Sequence, residues 1–169
     1  MTQGPIACWG CFPATRIDIP ALAAMASEIF PSAWTETSLH VEAQREEGRI
    51  WLARSEDAET ASLAGFVVVR RVADELHVQA LGVRGPLRRH GVGGALMTES
   101  LAWARAEGLK VAHLEYRSSN NASRALYESL GFVVVGRRPR YYRDGEDASL
   151  MSFVLTGPRR SVDSTPGAD

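Results

Sequence analysis

The chain has 169 residues, 45% of them hydrophobic and 23% charged, the size of one globular domain that can bury a core without disulfide or metal staples. Its 19 Lys+Arg and 20 Asp+Glu give a formal net charge of -1, so there is no global pull toward nucleic acid or anionic lipid. Direct DNA binding is not expected, and any anion site must be local. No stretch approaches the roughly 18 consecutive apolar residues of a membrane span, and the first ten residues lack the basic and apolar regions of a signal peptide. A cytoplasmic location without membrane attachment is expected.

In chain order, residues 6–12 predict a first strand. Asp18 and Pro20 mark a helix start ahead of 21–29, and Pro31 stops it. A second helix is predicted over 35–47, ended by Gly48. Residues 50–54, 65–72 and 76–83 read as strands of an antiparallel meander. From there helix and strand alternate: helix 92–106, strand 111–117, helix 122–130, strand 132–135. A polar turn at Asp144 and Gly145 precedes a last strand over 149–155. Strand, helix and strand in succession imply a parallel pair with a right-handed crossover. Residues 157–169, rich in Pro, Gly, Ser and Asp, predict a flexible C-terminal tail, which leaves 1–156 as a single domain.

Cys8 and Cys11 form a lone CxxC with no second pair to complete a four-ligand zinc site, and Phe12 and Pro13 follow where a redox motif would start a helix. A plain structural role is expected for them. His40, His77, His90 and His113 show no ligand spacing and read as surface or loop residues, so no metal is expected.

The sharpest feature is Arg88, Arg89, His90, Gly91, Val92, Gly93, Gly94, set between a strand and a helix. Glycines there let backbone N–H groups converge, the helix start adds its positive dipole, and the arginines supply charge, a combination suited to a diphosphate. The GK-Ser/Thr ending of a nucleotide triphosphate loop is missing. The dinucleotide spacing fails too, because its third glycine would be Leu96. The pattern that fits is Q/R-x-x-G-x-G, with Arg88, Gly91 and Gly93 in the fixed places.

That pattern resembles the coenzyme A loop of the GNAT N-acetyltransferases. Leu81, Gly82 and Val83 lead into it, as does the family strand whose backbone holds the pantetheine arm. The runs Leu114, Glu115, Tyr116, Arg117, Ser118, Ser119, Asn120 and Ala125, Leu126, Tyr127, Glu128, Ser129, Leu130, Gly131, Phe132 follow in family order. The resemblance is greatest to RimI-type ribosomal-protein alanine N-acetyltransferases, which share both runs and the segment at Tyr141, Tyr142, Asp144 and Gly145. It is strong over 76–156 and weaker but collinear over 6–75, where Phe30, Pro31 and Trp34 echo an aromatic loop. Gly94, Gly85 and the CxxC depart from the pattern; at Gly94 an Arg is common, so one phosphate contact is lost and the backbone site is left.

The resemblance implies an α/β (α+β) GNAT fold: a mixed, mostly antiparallel sheet with a splayed parallel strand pair and about four helices. It implies acetyl-CoA as donor, with Leu81, Gly82, Val83, Arg88, Arg89, His90, Gly91, Val92, Gly93, Gly94 and Asn120 around it. It implies Glu115 as general base and Tyr127 as the donor of a proton to the departing thiolate. A backbone N–H near Val83 would stabilise the oxyanion in a direct transfer within a ternary complex. Glu115 stands as a carboxylate inside a strand that otherwise reads Val111, Ala112, His113, Leu114, and its alternative use is an ion pair with an arginine such as Arg117 or Arg124. Tyr127 lies seven residues after Asn120, on the same helical face, and its alternative use is to pack its ring under the sheet.

The expected acceptor is a protein N-terminal α-amino group, with ribosomal-protein alanine as the leading case and a monomer or homodimer as the working form. An α-ammonium near pKa 8 costs about 3 kcal/mol less to deprotonate than a lysine near 10.4. The alternatives are a small-amine acetyltransferase for a polyamine or antibiotic, and a non-catalytic acyl-CoA-binding sensor module, which would need neither Glu115 nor Tyr127. Arg137, Arg138, Arg140, Tyr141, Tyr142 and Arg143 form a basic, aromatic cluster that reads either as a clamp for the acceptor or as a solvated hairpin.

Overall fold

The computed structural model describes residues 9–31, 33–55 and 62–155. Seven strands, β1 (Trp9–Pro13), β2 (Gly48–Ser55), β3 (Leu63–Val72), β4 (Glu75–Val83), β5 (Val111–Arg117), β6 (Val133–Arg138) and β7 (Ala148–Val154), form one sheet in the order β1-β2-β3-β4-β5-β7-β6. Phe66, Val67, Val68 and Val69 in β3 are all buried because helices cover both of its faces. Phe66 and Val68 pack with Ile19, Leu22 and Met25 of α1 (Ile19–Ile29) and Leu39 of α2 (Glu36–Ala43). Val67 and Val69 pack with Leu96, Met97 and Leu101 of α3 (Val92–Ala106), in a cluster that also takes in Leu126 and Tyr127 of α4 (Asn121–Ser129).

Every neighbouring pair is antiparallel except β4 and β5. Those two run parallel and pair only from Glu75–Val111 to Val78–Leu114. The register of β4 on β3 shifts at this point, leaving Gln79 as an extra residue, and a bulge of this kind bends its strand. From Gln79 onward β4 no longer pairs with β5, so the sheet is parted on one side of its middle. This is the mixed, mostly antiparallel sheet with a splayed parallel pair and four helices that was expected.

Two local expectations need correction, and a third holds in position only. The second helix ends at Ala43, four residues short of the predicted end, and Gly48 is the first residue of β2. The cause is long-range: Glu42 is buried in a two-bonded ion pair with Arg70 of β3 at 2.6 and 3.0 Å, and a Cβ on Gly48 would lie 2.8 Å from the Glu42 carbonyl. Asp18 holds the N-cap position of the first helix, with Pro20 in its first turn, but its side chain makes no cap bond there. That side chain instead accepts from the backbone and hydroxyl of Thr15, both at 2.8 Å, and closes a 3-10 turn at Arg16–Asp18. Finally, β5 and β6 are not neighbours despite the helix between them, since β7 inserts and pairs antiparallel with both. The tail over 157–169 lies outside the described residues, as does Cys8.

Gly82 shows how tightly β4 is held. A Cβ there would meet Phe66 Cε1 at 2.7 Å and Ile29 Cδ1 at 3.2 Å. The aromatic ring fills the space that a side chain would need, so Gly82→Ala is expected to cost about 1–3 kcal/mol through overpacking. A lower midpoint of urea unfolding with an unchanged slope is the result that checks this.

Candidate active site

The loop from Arg88 to Gly94 begins after a 3-10 turn at Gly85–Leu87 and ends in the first turn of α3. Arg89 and Gly91 both take left-handed backbone conformations, at φ 65° and 86°, which fold the loop tightly over the helix start. Gly91 is needed for that conformation, whereas Gly93 is needed for space: a Cβ on it would lie 3.0 Å from Leu126 Cδ2 of α4. Two bonds pin the loop from outside. The Trp9 indole donates to the His90 carbonyl at 2.7 Å, and Arg88 Nε donates to the Val83 carbonyl at 3.2 Å. The first turn-forming amide to find a helix acceptor is that of Ala95, on the Gly91 carbonyl at 3.0 Å, so the amides of Val92, Gly93 and Gly94 before it are left facing outward. Arg84, Arg88 and Arg89 make no ion pair among the described residues, a state they share with Arg16, Arg49, Arg105, Arg140 and Arg143. Cationic side chains without carboxylates, gathered at outward amides and a helix dipole, make a place for an anion.

The same helical face of the sheet offers an open strand edge. The Arg84 amide donates to the Ala64 carbonyl of β3 at 3.0 Å. Backbone groups alternate sides along a strand, so the amides and carbonyls of Leu81 and Val83 point the other way, into the gap that β5 has left. Gly82 bonds toward β3 and serves packing. A chain of amides reaching from the loop toward the middle of the sheet could pair with Leu81 and Val83 as a missing strand would.

Tyr127 of α4 packs against Tyr116 of β5, which lies beyond the last residue that β5 pairs with β4. The Tyr127 ring is 6% exposed and packs between Tyr116 and Phe132, at 6.0 Å from each ring centre. The ring therefore does pack under the sheet, the alternative use weighed for it from the sequence. Burial, then the neighbouring Tyr142, pushes the phenol above its usual range, so it stays protonated at any working pH and acts as a hydrogen-bond donor. Asn120 is exposed and stands just ahead of α4 as its N-cap: its Oδ1 accepts from the Ser123 amide at 3.0 Å, which leaves its NH2 group as the end able to meet a ligand.

Glu115 faces the opposite side of β5 from Tyr116, because successive strand residues alternate. Its Oε1 accepts from Arg138 Nη1 of β6 at 2.8 Å. The expected ion partners were Arg117 and Arg124, and both are otherwise engaged. Arg117 bonds Asp144 and Glu146 at 2.7 Å each, and Arg124 bonds Glu128 one turn along α4 at 2.8 Å. Glu115 and Arg138 line a cavity of about 490 Å³ with Tyr141, Tyr142, Glu75, His77 and His113. Two of the four histidines are thus on strands inside the candidate site, not on the surface as expected; His40 and His90 do lie on a helix flank and in the loop. The missed signal was period-two polarity: Glu75 with His77, and His113 with Glu115, each place two titratable groups on one face of a strand.

The basic cluster is split between β6 and the hairpin that follows it. Arg137 pairs with Asp147, Arg138 with Glu115 and over the Tyr141 ring, and Arg117 lies 4.0 Å over the Tyr142 ring. Glu146 ties this hairpin to the start of α4 by accepting from Ser119 Oγ at 2.7 Å and the Ser119 amide at 3.0 Å. With Arg117 added, these bonds pull its carboxyl from 4.5 down to about 2. The tether is thus at full strength above the ordinary carboxylate range and is lost only as pH falls toward 2. Cys11, half-buried against the α3 cluster, is pushed up to about 11 by burial and then by Glu99, which fits a packing role.

An outward-facing anion cradle, an open strand edge running from it, and a second cavity across the parted sheet define an enzyme that moves a group from a phosphorylated carrier to an acceptor. Residues 19–132 match the Acetyltransferase (GNAT) family, and the chain belongs to it. It is 33% identical over 144 residues to the N-alpha-acetyltransferase RimI of Mycobacterium tuberculosis, covering 81% of this chain and 87% of that protein. It is 35% identical over 101 residues to the ribosomal protein bS18-alanine N-acetyltransferase of Escherichia coli, covering 58% of this chain and 68% of the relative. The crystal structure of the Escherichia coli ribosomal-protein-S18-alanine N-acetyltransferase superposes with a TM-score of 0.78 at 26% identity, over 92% of this chain and 99% of that one. Among the described residues no helix is long and apolar enough to cross a membrane, and no cluster of His, Cys, Asp and Glu is arranged to hold a metal ion.

Proposed function

We propose that residues 1–156 form an acetyl-CoA-dependent acetyltransferase, cytoplasmic, that acylates the α-amino group of a protein N-terminus, with a ribosomal-protein alanine as the leading acceptor. The observation that carries this is the gap beyond Val78 and Leu114, which joins a donor face at the loop to an acceptor cavity at Glu115. The relatives named for N-terminal and ribosomal-protein acetylation support the choice of acceptor.

On the donor side, the diphosphate lies on the loop amides with Arg88 and Arg89, and the pantetheine amides pair with Leu81 and Val83. Asn120 adds a donor from the start of α4. The thioester then reaches the gap, where a backbone N–H of β4 near Val83, on the side of the strand that faces the gap, meets its oxygen. On the acceptor side the ammonium meets Glu115 in place of Arg138, loses a proton toward the carboxylate through water, and attacks. The N–C bond forms as the C–S bond breaks, the nitrogen sheds its second proton to water, and the thiolate accepts a hydrogen bond from Tyr127 and takes its proton from water relayed through that hydroxyl. Tyr141, Tyr142 and Arg138 border the cavity as groups for the rest of the acceptor.

The deciding experiment is an acceptor screen that follows thiol release from acetyl-CoA, with peptides beginning Ala, Ser or Met beside a polyamine and an aminoglycoside. Turnover of an alanine-first peptide, with little on the small amines, is expected. Turnover of a small amine with none on any peptide overturns the acceptor, and binding of acetyl-CoA with no turnover of anything overturns the enzyme.

A further inference from the structure

Glu75 and His77 stand two apart on β4, and His113 and Glu115 two apart on β5, with His77 and His113 in register across the parallel pair. The two imidazoles are 5.4 Å apart between ring centres. His77 Nε2 lies 2.8 Å from Glu75 Oε2, and His113 Nε2 lies 3.6 Å from Glu75 Oε1. His113 is held from the far side by Ser152 of β7, with Nδ1 2.7 Å from Oγ. A carboxylate can only accept, so His77 carries its hydrogen on Nε2 and its Nδ1 is the basic nitrogen. Such a carboxylate fixes the tautomer and stabilises the imidazolium once a proton arrives.

The geometry points to His77 and His113, held by Glu75 and Ser152, as a proton-holding pair that takes the proton shed by the acceptor amine at Glu115 and releases it to solvent. This rests on the reading above that an amine is acylated beside Glu115. Two residues along a strand put Glu115 about 7 Å from His113, a span for one or two waters. As a class, carboxylic acids are stronger acids than imidazolium ions by roughly two pH units, the order that a relay from a carboxyl to an imidazole needs. The remaining charged and polar groups of the cavity are Gln79, Arg138, Tyr141 and Tyr142. Arg138 is bound to Glu115, so the pair has one carboxylate of its own.

Two measurements on the full chain test this. Long-range nitrogen-15 spectra at neutral pH are expected to find His77 as the Nε2–H tautomer in the parent, and a mixture of tautomers in Glu75→Ala. The Nδ1–H form in the parent would put the basic nitrogen against Glu75 and overturn the proposal, whether or not any acceptor is turned over. With the acceptor that the screen identifies, His77→Gln is expected to lower kcat/KM tenfold or more and to leave acetyl-CoA affinity unchanged. Glu75→Ala is expected to move the acid limb of the pH–rate profile to lower pH, since the imidazolium has lost its carboxylate. An acid limb that stays in place in both variants, with full rate, shows that the imidazoles take no part.

Discussion

Tyr127→Phe is expected to lower kcat about a hundredfold while the dissociation constant of acetyl-CoA stays within a factor of two, the scale usual for a lost proton donor. The substitution keeps the ring that packs between Tyr116 and Phe132, so the core around α4 is preserved. It removes only the hydroxyl, whose neutral form burial favours. The departing thiolate would then leave without a hydrogen bond, while the loop, which belongs to the start of α3 and not to α4, would hold the diphosphate as before. Single-turnover mixing read against calorimetric titration separates the two effects. An unchanged kcat removes Tyr127 from the mechanism.

Glu115→Gln is expected to lower kcat/KM for an N-terminal peptide by about a hundredfold at pH 7 and progressively less as pH rises past 8. The α-ammonium of a peptide titrates near pH 8, so above that pH the amine arrives already neutral and a base has little left to do. The glutamine also frees Arg138, which is bound to the Glu115 carboxylate at 2.8 Å. A cation released beside the incoming ammonium raises KM as well, and more so at low salt. A pH profile parallel to that of the parent would leave Glu115 as an ion-pair partner of Arg138 and nothing more.

Where the governing forces are local, the elements are legible in the sequence. The helix at Val92–Ala106 and the strand at Val111–Arg117 fall where the apolar spacing and Gly108 put them, and the glycine loop sits between strand and helix as its composition demands. The rest depends on partners distant in the chain. The early end of α2 is set by Arg70, 28 residues from Glu42. The insertion of β7 between β5 and β6 has no local trace, because strand order is a property of the whole sheet. Within the site, the loop, Glu115 and Tyr127 could be singled out as residue types in context. The partner of Glu115 could not, since its near neighbours Arg117 and Arg124 were already taken by carboxylates of the hairpin and of α4. His77 and His113 become a pair only once β4 and β5 are laid side by side.

One half-buried thiol has a practical bearing on all of these assays. With its proton held until about pH 11, Cys11 exists as thiolate in roughly one molecule in ten thousand at neutrality. Reagents that count liberated coenzyme by disulfide exchange react with the anion alone. Position 11 therefore adds almost nothing to the colour they develop, and mild oxidants or alkylators met during purification leave it intact.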